Sequence, residues 1–512
     1  MGRKIQLGRN LCLFTIIVVL CTALNVQADV KLHGLFTNNM VLQQEMPVPV
    51  WGTADAGEQV TVTFGEQKKS ATAGNDGKWM VKLDALKAGG PYEFTVAGKN
   101  SITLSNVLVG EVWICSGQSN MEFSLGGAIN AKDEIAAANY PKLRHFYVPH
   151  KGIDTPQTDV TGTWKECTPA TAGSFTAVGY FFARDLQKAI NVPIGLIHTS
   201  VGGTAAELWT SRRTLEGNPE LKPIVDNFPK QLERYQKDQE NYKAAKEKHT
   251  EAVLKAKADG TPVPTAPKAP YKPTPPSGLY NGMIAPLLPY AIRGATWYQG
   301  EANAGNGKGY RTLFPAMIKN WREDWGQGDF PFLFVQLANF MQRKPDPANS
   351  SWAELREAQF MTLALPKTGM AVIIDVGDAK DIHPKNKQAV GQRLALAAQH
   401  VAYGKELVYS GPIFDLMSSD ASGSKLTLKF KQVGGGLVQG PGDKLTGFAV
   451  AGEDKKFVWA DAKIDGETVI VSSEAVAKPI AVRYAWADNP ECNLYNKENL
   501  PASPFRSDDW PH

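Results

Sequence analysis

Cys115-Ser116-Gly117-Gln118-Ser119-Asn120-Met121 begins where the short apolar run Val112-Trp113-Ile114-Cys115 ends, and Asp381-Ile382-His383-Pro384 follows another such run, Ala371-Val372-Ile373-Ile374. A serine hydroxyl becomes a nucleophile when a base removes its proton, and the base needs an acceptor that holds its tautomer and stabilises the imidazolium. Ser119 and His383 supply the first two groups. Asp381 is the nearest carboxylate to that histidine in sequence, with Asp378 and Asp375 as alternatives. Neutral imidazole, with an ordinary pKa of about 6.5, suits proton abstraction near neutral pH. The run around Ser119 lacks the second glycine of a Gly-x-Ser-x-Gly elbow, which argues against an ordinary α/β-hydrolase.

Two more polar, glycine-containing loops follow apolar runs. Ser200-Val201-Gly202-Gly203-Thr204 comes after Ile194-Gly195-Leu196-Ile197-His198, and Gln299-Gly300-Glu301-Ala302-Asn303 comes after Gly294-Ala295-Thr296-Trp297-Tyr298. Each alone reads as a turn. Together with a fifth run, Phe332-Leu333-Phe334-Val335, the apolar segments alternate with helix-compatible stretches at 179–190, 310–325 and 386–401. That alternation implies a parallel α/β sheet with buried strands, and such sheets keep their sites at the carboxyl ends of the strands. All four loops then fall at one edge. Trp209, Trp297, Tyr298 and Trp352 lie beside them in sequence, as platforms for a sugar ring or as packing. Arg212 and Arg213 read as surface cations, with pairing to a substrate carboxylate as the alternative.

Ser-Gly-Gln-Ser-Asn-Met, Ser-x-Gly-Gly-Thr, Tyr-Gln-Gly-Glu-x-Asn and Asp-Ile-His-Pro, taken together, resemble the sialate O-acetylesterase family of SGNH/GDSL-type hydrolases. Leu279-Tyr280-Asn281-Gly282-Met283-Ile284 and Val482-Arg483-Tyr484-Ala485-Trp486 extend the resemblance from about residue 30 to the C-terminus. It implies an SGNH-type fold and a serine esterase that removes O-acetyl groups from carbohydrates through an acetyl-serine. Ser119 is then the nucleophile and His383 the base, with Asp381 beside it. Gly203 or Gly202, and Gln299 or Asn303, would be oxyanion donors, and Gln118 and Glu301 complete the expected substrate-binding set. Broader relatives place the acid three residues before the histidine, where this chain has Lys380, so the carboxylate stays open between Asp381 and Asp378. An O-acetylated sugar or polysaccharide is the expected partner. Sialate is the first substrate, acetylated xylan or xyloglucan the second. A non-catalytic carbohydrate-binding protein on the same fold is the reading from another class, and a lipase is disfavoured by the lack of an apolar lid segment.

The remaining sequence frames this core. The 512 residues carry 55 Lys+Arg against 51 Asp+Glu and 43% apolar residues, which excludes a disordered chain and a polybasic nucleic-acid binder. Residues 1–28 read as a secretory signal: Arg3, Lys4 and Arg9 precede an apolar stretch from Leu11 to Leu24, and Val26-Gln27-Ala28 suits cleavage after Ala28. The mature protein is therefore expected to be exported, periplasmic or extracellular, and to have no membrane span. Residues 29–105 read as an N-terminal β-sandwich, 106–404 as the catalytic α/β domain and 405–512 as a β-rich module. Within the α/β domain, 213–275 is an insertion: a Lys/Glu/Gln-rich helix near 226–258, then a connector rich in proline (Pro262, Pro264, Pro267, Pro270, Pro273, Pro275, Pro276). Three cysteines follow the signal, Cys115, Cys167 and Cys492, too few and too scattered for a disulfide framework. Eight histidines are spread along the chain without His-Glu-x-x-His or Cys-x-x-Cys, so neither a metal nor another cofactor is expected.

Overall fold

The structure, a computed structural model, describes Gly2, residues 29–347 and residues 349–510. The expected signal segment 1–28 lies, but for Gly2, outside the described residues. The chain is mixed α/β, with one large mixed sheet and a β-rich C-terminal region. At the centre of that sheet the strands run in the order Trp164–Cys167, Tyr140–Tyr147, Ile194–Ser200, Ser101–Gly117, Gly294–Tyr298, Phe332–Val335 and Thr368–Ala371. The last six are parallel to one another, and Trp164–Cys167 is an antiparallel edge.

Burial on both faces explains why the strands read as unbroken apolar runs. Every residue of Ile194–Ser200 and Gly294–Tyr298 is buried. Within Ser101–Gly117, Val112 and Ile114 enter one core while Trp113 and Cys115 enter the other, the two-residue period of a strand. Helices Ala177–Ile190 and Lys387–Val401 pack on the Trp113 side, and Gly307–Trp325 packs on the opposite side. The strand expected at Ala371-Val372-Ile373-Ile374 is displaced, to Thr368–Ala371. Pairing with Phe332–Val335 ends at Ala371, and Val372, Ile373 and Ile374 continue as buried loop, the Val372 carbonyl accepting from Arg393 Nη1 at 2.8 Å. Sequence reading also missed the strand Tyr140–Tyr147, whose Lys142 and Arg144 interrupt the apolar pattern.

Before the centre, two groups of strands share a core. Lys31–Leu32, Val48–Thr53 and Lys78–Leu83 form one sheet, and Val41–Gln43, Gln59–Phe64, Gln67–Thr72 and Gly89–Ala97 join the large sheet through Ser101–Gly117. That 17-residue strand thus serves the N-terminal layer with its first half and carries Gly117 to the sheet edge with its second. The C-terminal region contains two four-stranded antiparallel sheets. Arg356, fully buried, fastens it to the centre by donating to the carbonyls of Leu337, Ala338, Ala487 and Asp488. Helix Phe228–Asp259 buries Ala256 alone, as its solvated composition predicts. Cys115, Cys167 and Cys492 are free thiols. Among the described residues no helix is long and apolar enough to cross a membrane.

Candidate active site

Ser119 is the first residue of a one-turn helix, Ser119–Glu122, entered directly from Ser101–Gly117. Gly117 makes the turn possible: its φ is +135°, and a Cβ there would lie 2.1 Å from the Tyr298 carbonyl oxygen of the adjacent strand. The backbone therefore drops abruptly off the sheet edge and presents the next side chains to the loops beyond.

His383 arrives from the other side of that edge, 264 residues later. Its Nε2 lies 2.8 Å from Ser119 Oγ. Asp381 Oδ1 accepts the His383 backbone N–H at 2.9 Å and sits 3.5 Å from Nδ1. The other two aspartates are engaged elsewhere. Asp378 accepts the Lys380 N–H at 2.7 Å, and Asp375 forms a two-pronged pair with Arg393 at 2.6 and 2.7 Å. Geometry thus brings Ser119, His383 and Asp381 together and leaves Asp375 and Asp378 apart.

The six further candidates divide by how their hydrogen bonds are occupied. Gly203 has φ +71° and its Cβ direction faces open space. Among the described residues its N–H has no acceptor, and neither does that of Ser119. Gly202 packs on the serine, since a methyl there would lie 3.4 Å from Ser119 Cβ, but its N–H is held by Glu122 Oε2 at 2.6 Å. Gln299 is fully buried. Its amide donates to the Thr204 carbonyl and to Asn303 Oδ1, while its own oxygen accepts from Tyr310. Asn303 donates to Glu207 at 2.9 Å and accepts from the Ala206 N–H. Gln118, 3% exposed, accepts from the Gly300 and Ala302 N–H groups and so ties the nucleophile turn to the 299–303 loop. Glu301 Oε1 accepts from Asn120 at 2.6 Å. Burial pushes the Glu301 carboxyl above its ordinary value, opposed by backbone N–H groups, Asn120 and Lys387.

Trp209, Trp297 and Tyr298 are wholly buried and Trp352 is 7% exposed, so none of these rings can stack on a sugar. Arg212 pairs with Glu216, and Arg213 with Asp324, on the exposed surface. Sequence reading missed four residues of this region. Glu122 bridges Gly202 and His150, the latter at 3.0 Å. Asn120 and Lys387 form a buried link between the serine turn and the histidine loop. Asn120 and Glu122 stood inside or beside a quoted motif; His150 and Lys387 carried no local signal.

As a whole, the arrangement can take a proton from a hydroxyl, attack a carbonyl and hold the resulting oxyanion with backbone N–H groups at a helix start. The family model described as "Carbohydrate esterase, sialic acid-specific acetylesterase" matches residues 109–256 and 270–400. A sialate O-acetylesterase of Mus musculus is 31% identical, covering 96% of this chain and 97% of its own. The Homo sapiens sialate O-acetylesterase is likewise 31% identical, over 93% and 92%. Among solved structures, a carbohydrate acetylesterase from Xanthomonas citri is 42% identical with a TM-score of 0.80, covering 94% of this chain and 100% of that one.

Proposed function

The chain belongs to the sialic acid-specific acetylesterase family of carbohydrate esterases, and from that premise we propose that it hydrolyses O-acetyl esters of sugars through an acetyl-enzyme on Ser119. The observation that carries this reading is that His383, partly exposed and with Asp381 beside its Nδ1, places Nε2 2.8 Å from Ser119 Oγ at the carboxyl edge of the sheet. His383 takes the hydroxyl proton as Oγ bonds to the acetyl carbon. The carbonyl π electrons move to oxygen, and the N–H groups of Ser119 and Gly203 stabilise that oxyanion. The intermediate collapses, the sugar oxygen leaves, and His383 returns the proton to it. Water then repeats the sequence on the acetyl-serine, with His383 again as base, and acetate departs. Asp381 stabilises the transient imidazolium from beside Nδ1.

In this reading the central sheet is an SGNH-type catalytic unit spanning 106–404, with 29–105 and 405–512 as β accessory modules. The mature chain starts after Ala28 and acts outside the cytoplasm. Sialate is the preferred sugar, on the strength of 31% identity across nearly the full length of sialate O-acetylesterases. The test is acetate release by the mature protein from O-acetylated sialic acid and from acetylated xylo- and xyloglucan oligosaccharides, with Ser119→Ala as control. Release that disappears in the variant and is fastest on sialate is expected. Faster release from the plant oligosaccharides would reassign the substrate. Release that survives in the variant would overturn Ser119, and absence of release from all of them would favour the binding-protein reading.

A further inference from the structure

Lys387 is fully buried although it is the first residue of helix Lys387–Val401, the end where the helix dipole disfavours a cation. Among the described residues it makes no ion pair with a carboxylate. Its side chain donates a hydrogen bond to Asn120 Oδ1. The ammonium otherwise faces aromatic rings, 4.9 Å from the Phe123 centroid and 5.3 Å from that of Tyr298. Burial lowers its pKa to about 7, against the longer-range pull of Glu301 and Asp381. A buried cation at the wrong end of a helix is costly. Its location behind the nucleophile points to what it does.

Lys387 Nζ donates to Asn120 Oδ1, and that contact holds the Asn120 amide in one orientation. With Oδ1 turned to Lys387, Nδ2 must face the opposite side, where two acceptors lie: Glu301 Oε1 at 2.6 Å and the Ile382 carbonyl at 3.1 Å. Asn120 is adjacent to Ser119, and Ile382 is adjacent to His383. The amide therefore spans the two loops at the residues neighbouring nucleophile and base. A flipped amide would set Oδ1 against two acceptors and release both contacts.

We propose that Lys387 is a positioning residue for the esterase reaction, which sets the Asn120 amide so that it clamps the Ser119 turn to the His383 loop. This inference rests on the serine-esterase reading above. An angstrom of misplacement between reacting groups can cost about 100-fold in rate, so loss of the clamp is expected in kcat and not in substrate binding.

The test follows p-nitrophenyl acetate hydrolysis by the full chain and by Ser119→Ala, Lys387→Met, Asn120→Leu and the Lys387→Met/Asn120→Leu double variant. Lys387→Met should lower kcat roughly 30- to 100-fold with KM within about threefold. Because Lys387 acts through Asn120, the double variant should be no more than about threefold slower than Asn120→Leu. Activity retained in Ser119→Ala would overturn the parent reading. Loss in Ser119→Ala with Lys387→Met near the wild-type kcat, or with single losses that multiply in the double variant, would overturn the clamp alone. Where Lys387→Met does not fold, Asn120→Asp serves, since it keeps the acceptor for Lys387 and removes the donor to Ile382. It should show a comparable kcat loss per folded molecule with KM within about threefold, and a wild-type kcat there would overturn the proposal.

Discussion

Among the described residues, two serine–imidazole hydrogen bonds are present, and the shorter belongs to Ser200 and His198. That pair is 2.5 Å apart, against 2.8 Å for Ser119 and His383. Ser200 and His198 stand two residues apart on one strand, Ile194–Ser200, and so share a face of the sheet. Ser119 and His383 come from loops after different strands. His198 is 2% exposed, its Nδ1 has no partner among the described residues, and its neighbours are Tyr147 and His145, the latter stacked on Phe175. Burial, reinforced by His150, lowers its pKa to about 3. The His383 side chain is 37% exposed with Asp381 beside it. Distance between oxygen and nitrogen therefore does not distinguish a nucleophile. A base must be able to become a cation, and that requires a carboxylate, water, or both.

The sharpest way to break this comparison is to remove each serine. Ser119→Ala should lower acetyl-ester turnover by about 10⁴ or more, whereas Ser200→Ala should stay within about threefold. Steady-state kinetics on purified, folded variants decides, and equal losses would end the distinction. A smaller effect tests the oxyanion side. Gly203→Ala forces a side chain into φ +71° and moves the N–H of the residue after Gly202, which packs on Ser119; about 100-fold in kcat is expected. Asp381→Asn should cost less, about 10-fold, because the carboxylate is half exposed and 3.5 Å from Nδ1. Asp378→Asn, at a carboxylate that accepts the Lys380 N–H, should leave kcat within twofold.

Much of this site was legible because sheet topology is local in its signals. Four polar loops each followed an apolar run, and a parallel sheet places all such loops on one edge, so residues 264 apart in sequence meet there. The carboxylate was not legible. Three aspartates stand within seven residues, and only their partners separate them: Arg393 holds Asp375 and the Lys380 backbone holds Asp378. The tryptophans misled for a related reason, since an aromatic beside a loop in sequence can sit on either side of the sheet surface, and Trp209 and Trp297 pack against each other inside. Gln299 and Asn303 were expected as oxyanion donors, but their bonds to Thr204, Ala206 and Glu207 are long-range contacts that composition does not encode, and those bonds occupy their amides. Lys387 had no signal, because a lysine opening a helix ordinarily points to solvent.

The buried pair makes the last prediction, on stability and not on rate. An unfolded histidine binds its proton near pH 6.5, while folded His198 binds one only near pH 3. Between those values the unfolded chain holds a proton that the folded chain lacks, so stability falls as pH drops from 6.5 toward 3 and the effect ends below it. This one group contributes a slope of at most about 1.4 kcal/mol per pH unit. His145, also buried and held well below its ordinary value, acts in the same direction. His198→Phe should therefore flatten the acid limb of the unfolding free energy between pH 6.5 and 4, measured by urea titration, and leave turnover per folded molecule at pH 7.5 within about twofold. Parallel acid limbs in the two proteins would mean that His198 is protonated in the fold. The contrast between a histidine built to gain a proton and one built to stay without it would then be lost.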